Sequence, residues 1–252
     1  MKTNILYYGL LAVIISTASV FANPPQQSAD INQATKTVIE HHLGLKGLLK
    51  ENHINVDVEN NVVILSGTVA TIEAKAEAEQ IAKNVAVDYR IDNRLTLEEA
   101  AVSDLQIEEA VTKKIHNYVF YTVFDWVTVN VKDGIVTLSG WSQYPWGIKY
   151  FAQRAAKVKG VKEVKNEIKL AQGSDELRYR AAQVIYNDPV FEFYAYDQDP
   201  PIHIIVNGAS VILEGVLSSE MERSRAYNLV YLLADVPNVV DDLVVVKQKS
   251  ST

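Results

Sequence analysis

Three times along the chain, branched apolar residues alternate with their neighbours in a strict period of two. Ile54, Val56 and Val58 are separated by Asn55 and Asp57, Val127, Val129 and Val131 by Thr128 and Asn130, and Ile202, Ile204 and Val206 keep the same phase, with His203 in the polar phase. That period predicts a strand with one buried face. Each run meets a turn signal, Asn60-Asn61, Asp133-Gly134 or Gly208, of the kind that accepts the positive φ of a tight hairpin. A second apolar run then closes on Gly67, Gly140 and Gly215, spaced 73 and 75 residues apart. A repeat of that length exceeds the solenoid range of about 20–50 residues and predicts a small domain in tandem.

Helical patterns flank each hairpin. The stretches 31–50, 103–120 and 174–187 open the repeats, and 72–85, 146–158 and 220–233 follow the hairpins, with Ala74, Ala78, Ile81, Ala82 and Val85 at helical spacing in the first copy. Ser103 with Gln106 has the form of a capping box, and Ser174 precedes Asp175 and Glu176, which suit a helix start. A last strand is expected at 87–97, 161–170 and 239–246. The order αββαβ predicts an α+β fold: three tandem small αββαβ domains at 31–97, 103–171 and 174–249, each a three-stranded mixed sheet covered by two helices.

The N-terminus reads differently. Lys2 precedes an uncharged apolar stretch, and Val20-Phe21-Ala22 has the small residues of a cleavage site, so residues 1–22 are expected to be a cleaved secretory signal. Export without a single cysteine leaves no disulfide framework, and stability has to come from apolar burial. Repeats of about 70 residues sit near the lower size at which one core suffices, so contacts between neighbours would help.

The hairpins ending in Leu65-Ser66-Gly67 and Leu138-Ser139-Gly140, the alanine-rich helix, and the closing Gly160-Val161-Lys162-Glu163-Val164-Lys165-Asn166 resemble the BON domain, over nearly the whole mature chain. The third copy departs from the pattern with Glu214 in the place of Ser66 and Ser139, and Gly160 is replaced by Val87 and Asn238 in its sisters. The resemblance implies a periplasmic protein that associates with phospholipid membranes and helps the envelope withstand osmotic or other stress, and it implies no catalysis.

A search for chemistry agrees with that expectation. His41 and His42 point about 100° apart on a helix and lack the i, i+4 spacing of a zinc pair. Asp197-Gln198-Asp199 opens like a calcium loop, but Ile202 and Gly208 stand where a glycine and a glutamate are needed, so an acidic loop stopped by Pro200-Pro201 is expected. Neither a nucleophile elbow nor a phosphate-cradling glycine loop is present in the sequence. The expected protein is no enzyme and takes no metal or other cofactor.

The repeats act as one another's controls. Trp146, Ile148 and Tyr150 of the middle copy align with Glu73, Lys75 and Glu77 of the first and with Met221, Arg223 and Arg225 of the third. Positions that carry charge in a sister predict solvent exposure. Trp141 and Tyr144 lie just upstream in the places of Thr68 and Thr71, and Lys149, Arg154, Lys157 and Lys159 follow. The chain is acidic overall, at formal charge −7, yet residues 103–171 hold ten Lys/Arg against seven Asp/Glu, a balance of +3, while the flanking copies stand at −2 and −6.

Aromatic rings beside cations suit an interface rich in anionic lipid. Trp141, Tyr144, Trp146, Ile148, Lys149, Tyr150, Lys157 and Lys159 are therefore the expected lipid-binding residues of a peripheral, anionic phospholipid-associated protein, with envelope proteins as further partners and no nucleic acid. Two alternatives go with this reading. The aromatic segment could be covered by a neighbouring copy, Phe191 to Asp197 being the natural cover, or the protein could be a soluble chaperone or adaptor.

Overall fold

The computed structural model describes residues 24–197, 199–234 and 236–246. The expected signal segment, residues 1–22, lies outside them. Among the described residues no helix is long and apolar enough to cross a membrane.

The first domain runs α1 (Pro24–Leu45), α2 (Leu48–Glu51), β1 (His53–Glu59), β2 (Val62–Val69), α3 (Ile72–Val85) and β3 (Arg90–Leu97). The middle domain runs α4 (Asp104–His116), β4 (Trp126–Lys132), β5 (Ile135–Ser142), α5 (Pro145–Ala156), β6 (Glu163–Asn166) and β7 (Lys169–Leu170). The third runs α6 (Asp175–Tyr186), a 3-10 turn at Glu192–Tyr196, β8 (Ile202–Asn207), β9 (Ser210–Leu217), α7 (Glu220–Tyr231) and β10 (Asn238–Val245).

Each sheet has the same topology. The hairpin strands pair antiparallel, the last strand returns parallel to the second, and the helix between them makes the crossover. In the middle domain the last strand is interrupted, β6 and β7 both pairing with β5. Inward residues of the central strands meet the helices in three cores: Val63 and Leu65 against Ala78 and Ala82, Val136 and Leu138 against Phe151 and Val111, Val211 and Leu213 against Ala226 and Val230.

The recurring glycine has a steric cause. Gly67, Gly140 and Gly215 have φ of 111°, 112° and 136°, and a Cβ at each would lie 2.0, 2.1 and 2.0 Å from the carbonyl oxygen of His53, Trp126 and Pro201. Only glycine lets the central strand pass that close to the start of the first. The hairpin turns also take left-handed backbone, at Asn60, Asn61, Asp133 and Gly134, and the Asp104 carboxylate at the start of α4 accepts both turn amides, Asp133 N at 2.7 Å and Gly134 N at 2.9 Å.

Helix starts follow the caps. The box between Ser103 and Gln106 is complete, and Thr71, Ser174 and Ser219 each accept a backbone amide of their helix. Helix ends depart from expectation. The first helix breaks at Gly47, which takes φ 77°, so one expected helix becomes α1 and α2. Helix α4 stops at His116, four residues short of Phe120, because the β-branched and aromatic run that follows has low helix propensity and is used elsewhere.

That run joins the middle and third domains. The Phe124 ring lies in the core of the third domain, edge-on to Tyr179 at 5.5 Å, and Ile204 N donates to Val123 O at 2.7 Å along the free edge of β8. At the far end of β8, Gly208 N donates to Gln172 O and Gln172 N to the Asn207 side chain. Strand β8 is consequently buried on both faces. His203, in the polar phase, is 1% exposed because the middle domain covers it.

Candidate functional site

Helix α5 begins unlike its sisters. Thr71 and Ser219 close α3 and α7 with a side-chain oxygen, and both helices carry glutamate in the first turn. Tyr144 occupies the same position on α5, offers no capping bond, and no acidic residue follows; only Pro145 at the first helical position favours the helix. Losing the cap costs about 0.5–2 kcal/mol. In exchange, an aromatic ring stands at the helix entry.

Around that ring lies a cluster of five aromatics. Tyr144 stacks on Trp146 at 5.2 Å, Trp146 meets Phe120 at 5.7 Å and Tyr150 at 6.0 Å, and Tyr118 meets Phe120 at 5.5 Å and Tyr150 at 6.2 Å. The Arg154 guanidinium sits 4.1 Å from the centre of the Tyr118 ring. Phe120 is 55% exposed, Tyr144 42%, Trp146 39% and Tyr150 45%. Neighbouring Val119 is exposed as well.

The segment Phe191 to Asp197 does not cover this face. Phe191 is buried in the third core, Tyr194 packs against that core, and Phe193 and Tyr196 point to solvent.

The eight residues expected to act together fall into four groups. Tyr144, Trp146 and Tyr150 share the aromatic face, and Lys149 is exposed with no ion pair among the described residues. Ile148 is half-buried and packs against the middle core, so the sister-charge argument fails there; Lys75 and Arg223, its counterparts, are only partly exposed too. Trp141 pairs with Trp126 across the hairpin and carries Lys169 at 5.4 Å over its ring, away from α5. Lys157 and Lys159 reach the first domain, pairing with Glu73 and Glu98 at 3.0 Å each, beside Ile72, which packs against the middle core. Two expected lipid cations therefore belong to a domain junction.

Aligning the three repeats does not point to Tyr118 or Phe120. The available signal was Tyr118-Val119-Phe120-Tyr121, four apolar or aromatic residues in succession at a helix end.

The junction with the third domain holds a dense group of titratable side chains. His116 Nδ1 lies 2.7 Å from Asp199 Oδ2 and its Nε2 lies 3.0 Å from Val127 O. His203 Nε2 lies 3.4 Å from the other Asp199 oxygen. The Tyr121 ring stacks on His116 at 4.6 Å, and Trp126 lies 5.0 Å from the His203 ring. The two histidines hold the Asp199 carboxyl well below the usual range against the effect of its burial. No group of three or more potential metal ligands occurs among the described residues.

Three αββαβ units in series, each closed by a glycine its neighbour strand presses upon, define a tandem-repeat α+β protein. The chain belongs to the BON-domain family, the BON domain matching residues 31–99, 103–172 and 190–247. The third match begins after α6. Proteins of this family are generally non-catalytic and commonly periplasmic, and BON domains as a class bind phospholipid.

No curated protein matches the chain. Among solved structures it is similar to CdsD of Chlamydia trachomatis, described as a structural protein of the type III secretion system, at 12% identity and a TM-score of 0.26 over 84% of this chain and 92% of that one. A structure of the C-terminal domain of CdsD gives 12% identity and the same score over 83% and 96%.

Proposed function

We propose that this is a non-enzymatic periplasmic protein that docks peripherally on anionic phospholipid through its middle domain and supports the integrity of the envelope under osmotic or related stress. The observation that carries the reading is the exposed aromatic face of Phe120, Tyr144, Trp146 and Tyr150 beside exposed Lys149. Side chains with apolar rings and polar tips partition to the boundary between headgroups and acyl chains. Burying one such ring more fully is worth on the order of 1–3 kcal/mol, so a few rings suffice for reversible docking.

Charge acts in the same direction. The middle domain has a balance of +3 in an otherwise acidic chain, two of its ten cations being paired with acids of the first domain, and each free basic side chain near an anionic surface adds about 1 kcal/mol. The uncapped, acid-free start of α5 leaves the positive end of the helix dipole turned toward the same face. Lys157 and Lys159, tied to the first domain, are left out of the contact.

Co-sedimentation of the mature protein with vesicles tests this. Binding is expected to vesicles containing phosphatidylglycerol, to be weak to pure phosphatidylcholine, and to fall as salt rises from about 0.05 to 0.5 M through screening. Equal binding to both vesicle types, or none to either, would refute the anionic-surface reading.

A further inference from the structure

The stretch from the end of α4 to the start of β4 faces two ways. Tyr118, Val119 and Phe120 belong to the exposed aromatic face, whereas His116, Tyr121, Val123, Phe124 and Trp126 are engaged with the third domain. Phe120 is therefore carried on the same stretch of chain that the third domain grips.

The grip has a titratable component with an unusual hydrogen-bond geometry. His116 has an acceptor on each ring nitrogen: the Val127 carbonyl at 3.0 Å and the Asp199 carboxylate at 2.7 Å. A neutral imidazole has one N–H and would turn a lone pair toward one of these oxygens; only imidazolium donates to both. His203 Nε2 shares the same carboxylate, and its Nδ1 is buried without a partner among the described residues.

We infer that His116, Asp199 and His203 form a proton-dependent clamp between the middle and third domains, tight when His116 is charged and weaker when it is neutral, and that through the 117–126 segment it governs how the aromatic face is presented. The second half of this inference rests on the lipid reading above; the clamp itself does not. A surface cleft of about 370 Å³, lined by Glu108, Glu109, Thr112, Lys113, His116, Asn117 and Asp199, gives solvent protons access to His116, whose side chain is 14% exposed.

The groups around the clamp fix the sign. Facing His116 are Asp199 from the third domain, the stacked Tyr121 ring, Trp126 beyond it, and Glu108, Glu109 and Lys113 from α4. Asp125 lies buried at the end of the same segment, held by Thr122, Ser142 and Gln143. Beyond His203, its cross-strand neighbour Glu214 and then Asp242 continue the acidic row. Tyr121 stays neutral, its hydroxyl pushed far up by burial. Burial of His116 opposes its charge, but the bonds to Asp199 and Val127 O prevail and raise its pKa. A raised imidazole pKa means that the clamp is fully present at low pH and is lost as pH rises through the folded value, each unit of elevation being tenfold in the docking equilibrium.

Asp199→Asn tests this sharply. The new amide nitrogen would donate to neutral His116 Nδ1 while the amide oxygen still accepts from His203, so the network becomes complete with uncharged rings. Hydrogen exchange of the Ile204 amide, which bonds across the junction to Val123 O, reports the grip after correction for the intrinsic pH dependence of exchange. In the wild-type protein its protection is expected to fall at least fivefold between pH 6 and 9, and in the Asp199→Asn variant to change less than twofold. Equal behaviour of the two proteins overturns the clamp. Binding to phosphatidylglycerol vesicles is expected to weaken over the same range in the wild type and not in the variant. Vesicle binding independent of pH, with the protection change intact, overturns the coupling to the aromatic face; no vesicle binding at either pH, with the protection change intact, overturns the lipid reading and leaves the clamp standing.

Discussion

Phe124 lies within the middle repeat in sequence, yet its ring completes the core of the third domain, so Phe124→Ala should damage the domain to which the residue does not belong by position. Phe124 is 9% exposed and makes an edge contact with Tyr179 at 5.5 Å. Truncation deletes about 100 Å³; at about 24 cal/mol per Å³ an uncollapsed cavity costs about 2 kcal/mol, the lost transfer energy adds about 2 more, and the sum falls in the usual 3–5 kcal/mol for Phe→Ala. A domain of that size without disulfides has about 3–5 kcal/mol in total. The substitution should therefore bring the third domain to the edge of unfolding at 25 °C while the first two persist. Hydrogen exchange resolved by segment measures this directly: amides of β9 and α7 should lose most of their protection, and those of β4 and β5 should keep it. Equal loosening of all three domains, or loss confined to β4 and β5, would refute the assignment of Phe124 to the third core.

Three further outcomes follow from the geometry. Gly140→Ala places a Cβ at φ 112° and 2.1 Å from Trp126 O, and should lower the stability of the middle domain by about 3 kcal/mol in urea melts, the strain alone accounting for about 1–3. Burial and the neighbouring Asp242 carboxylate push Glu214 up to about 7; because the folded value exceeds the unfolded one, stability present below the ordinary carboxylate range is lost as pH climbs toward 7, so Glu214→Gln should raise the melting temperature of the third domain at pH 8 and leave it unchanged at pH 4. Tyr144→Thr restores the cap its sisters use and should leave stability unchanged or raise it by up to about 1 kcal/mol while weakening vesicle binding; lost stability would show that Tyr144 serves packing.

Much of this architecture was readable from the chain because its signals are local. Alternation at Val127, Val129 and Val131 set which face is buried, Asp133-Gly134 set the hairpin, and Ser103 with Gln106 set a helix start, each through contacts within a few residues. The aromatic face was legible in part, because Glu73 and Glu77 marked the places of Trp146 and Tyr150 as surface.

What escaped were contacts between domains. His203 occupies a polar phase, but the neighbouring domain covers that edge. Lys157 and Lys159 look like free cations until the first domain presents Glu73 and Glu98. Phe120 has no counterpart whose chemistry would flag it, since the connection it occupies differs in length and conformation in each repeat.

The central claim, that the aromatic face of the middle domain is a docking surface and not a packing surface, is tested most directly by the double substitution Trp146→Glu, Tyr150→Glu in vesicle co-sedimentation with a parallel thermal melt. The first domain already carries glutamate at both positions on an equivalent helix, and an acidic residue in the first turn of α5 favours its dipole, so the melting temperature should stay within about 2 °C of wild type. Losing two rings at about 1–3 kcal/mol each and adding two charges that anionic headgroups repel should cut affinity for phosphatidylglycerol vesicles at least tenfold. Unchanged vesicle binding together with a clearly lowered melting temperature would contradict the account.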